Sequence, residues 1–153
     1  MQKVFLPALL IALASGLAIG VQSTLIGSAG KTAGAVLTGL LVNFLAGAAA
    51  GVVLILIYAR EGRAPFMGIQ LQTFWMVLGA GLLGIGIISG IAFALPKVGI
   101  AAGLSAIIAG QMAMAVFVDT FALAGGDPIP LNFSRLGGLL FLALGTWAIL
   151  PKE

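Results

Sequence analysis

Four side chains capable of polar chemistry lie inside or beside long apolar runs of this chain. Gln22 is late in the first run, Asn43 is in the second, Gln111 is in the fourth, and Asp119 follows Gln111. An amide in hydrocarbon has no water to bond, so it either pairs with another helix or lines a polar cavity. These four residues are therefore the candidates for lining a substrate site or a pore.

Each candidate also has a structural interpretation. Gln111 is about 18 Å along its helix, just past the membrane midplane, where it can line a cavity or bond to a neighbouring helix. Gln22 and Asn43 lie nearer one membrane face, where pairing between helices is the simpler role. Asp119 lies at the membrane boundary, where a hydrated carboxylate can cap the following loop. Serine and threonine hydroxyls usually bond to the preceding turn of their own helix.

Several kinds of chemistry are excluded by residue types that the chain lacks. It has no histidine and no cysteine, so zinc, haem and iron–sulfur sites are not expected and no cofactor is implied. No nucleophile has a base beside it in the sequence, which argues against an enzyme. The 7 Lys and Arg residues are scattered singly, whereas nucleic-acid-binding proteins cluster them on one face.

The elements that position these residues are membrane-spanning helices. The chain is 61% hydrophobic and 7% charged, whereas soluble domains carry about 25% charged residues. Because a bilayer core of about 30 Å needs roughly 20 apolar residues, we predict an all-α membrane protein, a single five-helix domain over residues 1–153. The five spans are expected over about 4–25, 33–58, 74–95, 99–118 and 136–150.

The sequence also predicts where the first turn lies, that the first span is retained, and that the fifth span is short. Gly27, Gly30 and Lys31 are expected to mark the first turn. The first span is expected to remain uncleaved, because its apolar run is too long for a signal peptide. The fifth span would cover only about 22 Å, so Arg135 and Lys152 are expected to snorkel to the two interfaces. If this segment lay flat or re-entered the membrane, the count would be four.

Positive residues divide almost evenly between the two sides of a five-span protein. The first side carries four and the second carries three: Lys3, Arg60, Arg63 and Arg135, against Lys31, Lys97 and Lys152. Orientation normally follows an excess of Lys and Arg in the cytoplasmic loops. The balance therefore predicts dual topology and an antiparallel homodimer, the symmetry of inverted-repeat transporters. The alternative is a fixed topology, set by the N-terminal amine or by the loop with two arginines.

Glycines spaced for close helix packing recur along the spans. Pairs four residues apart let helix backbones approach each other, and they are Gly16 with Gly20, Gly47 with Gly51, Gly86 with Gly90, and Gly99 with Gly103. Gly79 and Gly86 are seven residues apart and share a face. The third helix is therefore the best candidate for tight or sliding contact, with packing as the simpler role and gating as the alternative.

The residues resemble those of a known family. The resemblance rests on Gln22, on Asn43-Phe-Leu-Ala-Gly47, on Leu95-Pro-Lys-Val-Gly99, and on Ala109-Gly-Gln111 followed by Asp119. In these features the whole chain resembles the YdcZ-like proteins, a bacterial inner-membrane family of unknown function within the drug/metabolite transporter superfamily. The resemblance implies a multi-pass, five-helix unit, dual topology and an exporter-like carrier. Small multidrug-resistance transporters of that superfamily carry a glutamate in the first helix, which is absent here, so proton-coupled export of cations by that route does not carry over.

These observations predict an exporter-like carrier of a small neutral or amphipathic metabolite. It would work by alternating access as an antiparallel dimer, around a site lined by Gln22, Asn43 and Gln111. An inverted copy would also bring its Asp119 to the membrane face that holds Gln22 and Asn43. One alternative is a dual-topology channel of the fluoride type, which shares the Asn-x-x-Gly pattern of Asn43 to Gly47. Another is a structural subunit that works only with a homologous chain.

Overall fold

The computed structural model describes residues 2–62 and 68–151, with side chains from Leu6 onward. The described residues form five α-helices, namely α1 Gln2–Ala33, α2 Ala35–Glu61, α3 Leu71–Val98, α4 Ile100–Thr120 and α5 Phe133–Ile149. No strand occurs among them. The predicted all-α class is therefore confirmed, and the antiparallel dimer stays a prediction. Arg63 and Lys152, which enter the charge count, lie outside the described residues, as does the side chain of Lys3.

Four of the five helices are long and apolar enough to cross a membrane. They cover Leu6–Ala33 within α1, all of α2 and α3, and α4, which is the shortest at 21 residues. Large apolar side chains are exposed along the isolated chain, for example Leu83 at 68% and Phe141 at 78%. Such surfaces match lipid rather than water. α5 has 17 residues, about 25 Å of helix, and is the short element that the sequence predicts.

Single glycines join two pairs of helices. α1 continues through Gly27, Gly30 and Lys31, so the prediction that these residues form the first turn is wrong. The chain instead passes into α2 at Gly34, which has φ 83° and ψ 155°. Gly99 connects α3 to α4 with φ 86° and ψ 156°. Only glycine adopts this region without strain, so each connection needs no other loop residue.

The chain forms two compact units, which we describe separately. The central unit is Leu25–Phe93, and the terminal unit combines Met1–Thr24 with Ala94–Glu153. The boundaries between the units fall inside α1 and α3. The assignment of residues 1–153 to one domain stays a prediction.

In the central unit, α3 packs against the end of α1 and the start of α2. A Cβ atom added to Gly30 of α1 would meet the carbonyl oxygen of Ala92 in α3 and would lie 3.0 Å from the Ala92 Cα. Pro96 has no N–H to donate to this same carbonyl, four residues earlier in α3. Gly39 of α2 similarly approaches Ser89. The absence of a side chain at both glycines therefore allows the helix backbones to meet.

In the terminal unit, α4 and α5 run antiparallel, with a polar contact toward each end. Thr146 of α5 donates to the carbonyl oxygen of Ser105 in α4 at 3.2 Å. Arg135 at the start of α5 contacts Asp119 near the end of α4. These two contacts fix both the direction and the register of α5 along α4.

Most of the predicted packing glycines have open space where a side chain would be, as far as the described residues of one chain are concerned. A Cβ atom added at eight of the nine would have no neighbour within 4 Å, at Gly16, Gly20, Gly47, Gly51, Gly79, Gly86, Gly90 and Gly99. The ninth, Gly103, lies against the side chain of Leu95. The role of the eight in packing against another chain stays a prediction. The close approaches at Gly30 and Gly39 are not anticipated by the four-residue spacing.

Replacing Gly30 by Ala tests the approach of α1 to α3. The added methyl would overlap backbone atoms of Ala92, which cannot rotate away, so we expect the free energy of unfolding to fall by about 1–3 kcal/mol. Gly20→Ala, at an open position in the same helix, is the matched control and should gain up to about 1 kcal/mol of helix propensity. Both are measured by equilibrium unfolding in mixed micelles that keep the chain monomeric. Equal stability of the two variants would contradict the packing described here.

Candidate functional site

An ion pair joins the two helices of the terminal unit near their connecting loop. Nη2 of Arg135 donates to Oδ2 of Asp119 at 3.0 Å, and the two side chains are 24% and 44% exposed, respectively. From the sequence, Asp119 is expected to line a site or to cap the following loop, and Arg135 is expected to snorkel to an interface. The structure gives each the other as a partner, so the Asp119 carboxylate is already engaged within its own chain.

The start of α5 places Arg135 at this position. Asn132 is extended, and its side chain accepts a hydrogen bond from the backbone N–H of Arg135 at 2.8 Å. This is an N-terminal cap that satisfies one of the free N–H groups of the first turn. Arg135 is thus three residues past the cap, and its guanidinium reaches α4.

The other end of the Arg135 guanidinium has a different environment. Its Nη1 atom is buried and has no hydrogen-bond partner among the residues that the structure describes. Arg135 also lines a groove of about 430 Å³ between α4 and α5. The groove is lined by the ion pair and by apolar or small residues, namely Met112, Ala115, Val116, Gly138, Leu139 and Leu142. The groove therefore has at one end a guanidinium with an unpaired nitrogen, and an apolar wall along the rest of its length.

Asn43 lines a second groove, in the central unit. This groove measures about 470 Å³ and is formed mainly by α3, including Thr73, Phe74 and Leu78. Nδ2 of Asn43 donates to the carbonyl oxygen of Gly39 in its own helix at 2.8 Å. Its Oδ1 faces α3, 3.2 Å from where a Cβ atom of Gly84 would lie. The amide therefore bonds through its donor within α2, while its oxygen lies against α3.

Gln22 and Gln111 are both exposed in the single chain. Neither side chain forms a hydrogen bond with any other described residue. Gln111 is on α4, one turn before Ala115 of the Arg135 groove, but does not line that groove. The Gln111 amide is therefore exposed on the outer surface of the single chain, near the middle of α4.

The predicted site residues are distributed over both units. Asn43 belongs to the central unit, whereas Gln22, Gln111 and Asp119 belong to the terminal unit. Sequence reasoning missed Arg135 as a site residue. The sequence did hold a signal for it, because Asp119 and Arg135 flank the one connection between two consecutive predicted helices, and consecutive helices are usually neighbours.

Comparison with known proteins points to one family. The family described as "Putative inner membrane exporter, YdcZ" matches residues 7–148. A relative, "Inner membrane protein YdcZ" of Escherichia coli (strain K12), is 26% identical over 143 residues, which cover 92% of this chain and 93% of the relative. No solved structure matches the chain.

The match extends from the first helix to the last and so includes both grooves and all four candidate residues. With the apolar helices, it establishes a multi-pass protein of the bacterial inner membrane, in contact with the lipid bilayer, and of a transporter type. The chain belongs to the YdcZ family of inner-membrane proteins.

Proposed function

We propose that this protein is an exporter-like carrier of a small neutral or amphipathic metabolite, working by alternating access as an antiparallel dimer of oppositely inserted chains. The observation that carries the proposal is the exposed amide of Gln111. It is the twelfth residue of the 21-residue α4, near the middle of a helix that is long enough to span the bilayer. A polar group at that depth needs a partner or a cavity, and the rest of the described chain provides no partner.

Glycines with free space around them on α3 support an interface with a second chain. Gly79 and Gly86 of α3, with Leu82, Leu83 and Ile87, border a shallow depression, and Cβ atoms at the two glycines would meet nothing. Small residues allow two helices to pack closely in lipid. In a dimer, this face can hold a helix of the inverted copy and permit it to slide.

Four of the described hydroxyls are held by their own helices, which argues against their use as catalytic nucleophiles. The Ser105 and Thr120 hydroxyls donate to carbonyl oxygens three or four residues earlier in α4, at 2.9 and 2.7 Å. Ser15 and Thr24 do the same in α1. A hydroxyl bonded to its own helix has no base to activate it, so we infer that the protein is not an enzyme.

Insertion in both orientations can be tested by cysteine labelling, because the chain has no native cysteine. Gly126 lies in the exposed loop between α4 and α5, and its φ is not positive. We expect Gly126→Cys in intact cells to react with an impermeant maleimide in about half of the molecules, because the nearly balanced loop charges favour neither orientation. Thr32→Cys, exposed at the end of α1, is the control: five spans would put it on the other membrane face, so it should give the complementary fraction. Labelling of Gly126→Cys in all molecules or in none would show a single orientation.

Replacing Gln111 by Leu tests the amide in α4. The substrate is first chosen as the neutral metabolite that most raises the unfolding temperature, since a ligand of the folded state stabilises it. We expect Gln111→Leu to abolish uptake of that metabolite into proteoliposomes while leaving the dimer intact. Gln72→Leu, the same change at an exposed position in the first turn of α3, should leave uptake unchanged. Wild-type uptake by Gln111→Leu would show that the amide is dispensable for transport.

A fluoride channel is the second candidate, favoured by Asn43 and Gly47 one turn apart in α2. A channel conducts passively, whereas a carrier must change conformation in each cycle. We therefore expect liposomes loaded with fluoride to release no more of it with this protein than without it. Rapid, complete efflux measured by a fluoride electrode would favour the channel and overturn the carrier. A homologous partner chain that is required for all uptake would favour the heterodimeric subunit.

A further inference from the structure

The two ends of the Arg135 guanidinium are in unequal environments. Nη2 is paired with Asp119 at 3.0 Å, whereas Nη1 is buried without an acceptor among the described residues. Buried polar groups in proteins are nearly always hydrogen-bonded, and an unpaired donor lowers stability. A guanidinium has five N–H groups, so pairing with Asp119 does not exhaust it. The free end needs an acceptor from outside the described chain.

The groove that Arg135 lines has the dimensions of a small-molecule site. Its walls run from Asp119 to Met112 on α4 and from Arg135 to Leu142 on α5. Seven residues of helix measure about 10 Å, so the ion pair closes one end of an apolar groove of about that length. Its volume of about 430 Å³ is within the usual range for ligand pockets.

The charges that line the groove cancel each other. Among the described residues that line it, only Arg135 and Asp119 are ionisable, and they are paired. An anion would gain the hydrogen bond but would also face the Asp119 carboxylate, and a cation would face the guanidinium. A neutral acceptor oxygen gains the hydrogen bond without either repulsion.

We propose that this groove binds a small neutral molecule with a carbonyl-type oxygen on an apolar body. The oxygen accepts from Nη1 of Arg135, and the body lies along Met112 and Leu139. Asp119 is a positioning residue, which holds the guanidinium through Nη2 and cancels its charge. The inference rests on the proposed carrier function and names the class of its substrate.

Lipid esters also carry acceptor oxygens, so the small molecule must be distinguished from a phospholipid. A lipid acyl chain extends over half of the roughly 30 Å hydrocarbon core, which is longer than this groove. The groove therefore fits a ring or a short chain better.

Three benzene derivatives of similar shape provide the probes: benzamide, benzoate and benzylammonium. Each is titrated by ligand-observed NMR at pH 7 against the purified full chain in phosphatidylcholine nanodiscs. We expect saturable binding of benzamide, at least about tenfold tighter than that of either ion, since a hydrogen bond to a charged donor contributes about this much. Arg135→Gln should weaken benzamide binding about tenfold or more. Arg60→Gln, which removes an exposed arginine at the end of α2, is the matched control and should bind as the wild type does.

Asp119→Asn gives a second readout that does not depend on the Arg135 variant folding. It leaves the guanidinium charge uncompensated, so we expect the preference to reverse in favour of benzoate. Circular dichroism checks the fold of both variants. If Arg135→Gln is unfolded, the reversal in Asp119→Asn decides: a reversal supports the site and an unchanged preference overturns it.

Other outcomes would also overturn the proposal. These are no saturable benzamide binding, equal binding of benzoate by the wild type, or unchanged benzamide affinity in folded Arg135→Gln. If that variant instead retains fewer phospholipids in native mass spectrometry, the acceptor is a lipid oxygen and the proposal fails. If the protein binds benzamide but transports no metabolite, the proposed carrier function is wrong and the binding site stands. If Arg135→Gln transports as the wild type does, the binding site is wrong and the carrier function stands.

Discussion

A bilayer interior supplies no water, so each polar group in this chain must find a partner within protein or face a cavity. The backbone meets this demand by forming helices along nearly its whole described length. Side chains meet it locally: the hydroxyls of Thr24 and Thr120 and the amide of Asn43 donate to carbonyl oxygens of their own helices. Polar groups left without such partners are therefore informative, and they include Gln111 and one end of Arg135.

The same constraint explains how the helices meet. Burial from water does not draw apolar helices together inside lipid, so close packing and hydrogen bonds must do so. Gly30 and Gly39 bring helix backbones onto α3, and Thr146 reaches the carbonyl oxygen of Ser105 between α4 and α5. The ion pair of Asp119 with Arg135 is near the loop, where charged groups can remain partly hydrated.

Single-glycine connections allow long helices in a short chain. At Gly34 and Gly99 the backbone takes a positive φ that carries it from one helix into the next. Only one residue separates the helices at each of these points, so α1 and α3 extend several residues beyond the predicted spans. Hydropathy placed the helices correctly because it reports on lipid contact. It did not place their ends, because Gly27 and Gly30 are as compatible with a helix packed closely on another helix as with a turn.

The candidate site was predictable only in part. Gln22, Asn43, Gln111 and Asp119 stood out because amides and carboxylates are costly in hydrocarbon. Arg135 did not stand out, because an arginine at a helix end is normally explained by snorkelling. Its pairing with Asp119 depends on the antiparallel register of α4 and α5, with which the Thr146 contact agrees, and on the start of α5 at the Asn132 cap.

Composition and hydropathy alone determined that this is a helical membrane protein without cysteine or histidine chemistry. They could do so because the preference of a long apolar segment for lipid does not depend on its neighbours. Only the tertiary structure decided which glycines make close contacts, which residue pairs with Arg135, and which apolar residues line the groove that it borders. Those features depend on distances between residues far apart in the chain, and helix packing sets these distances.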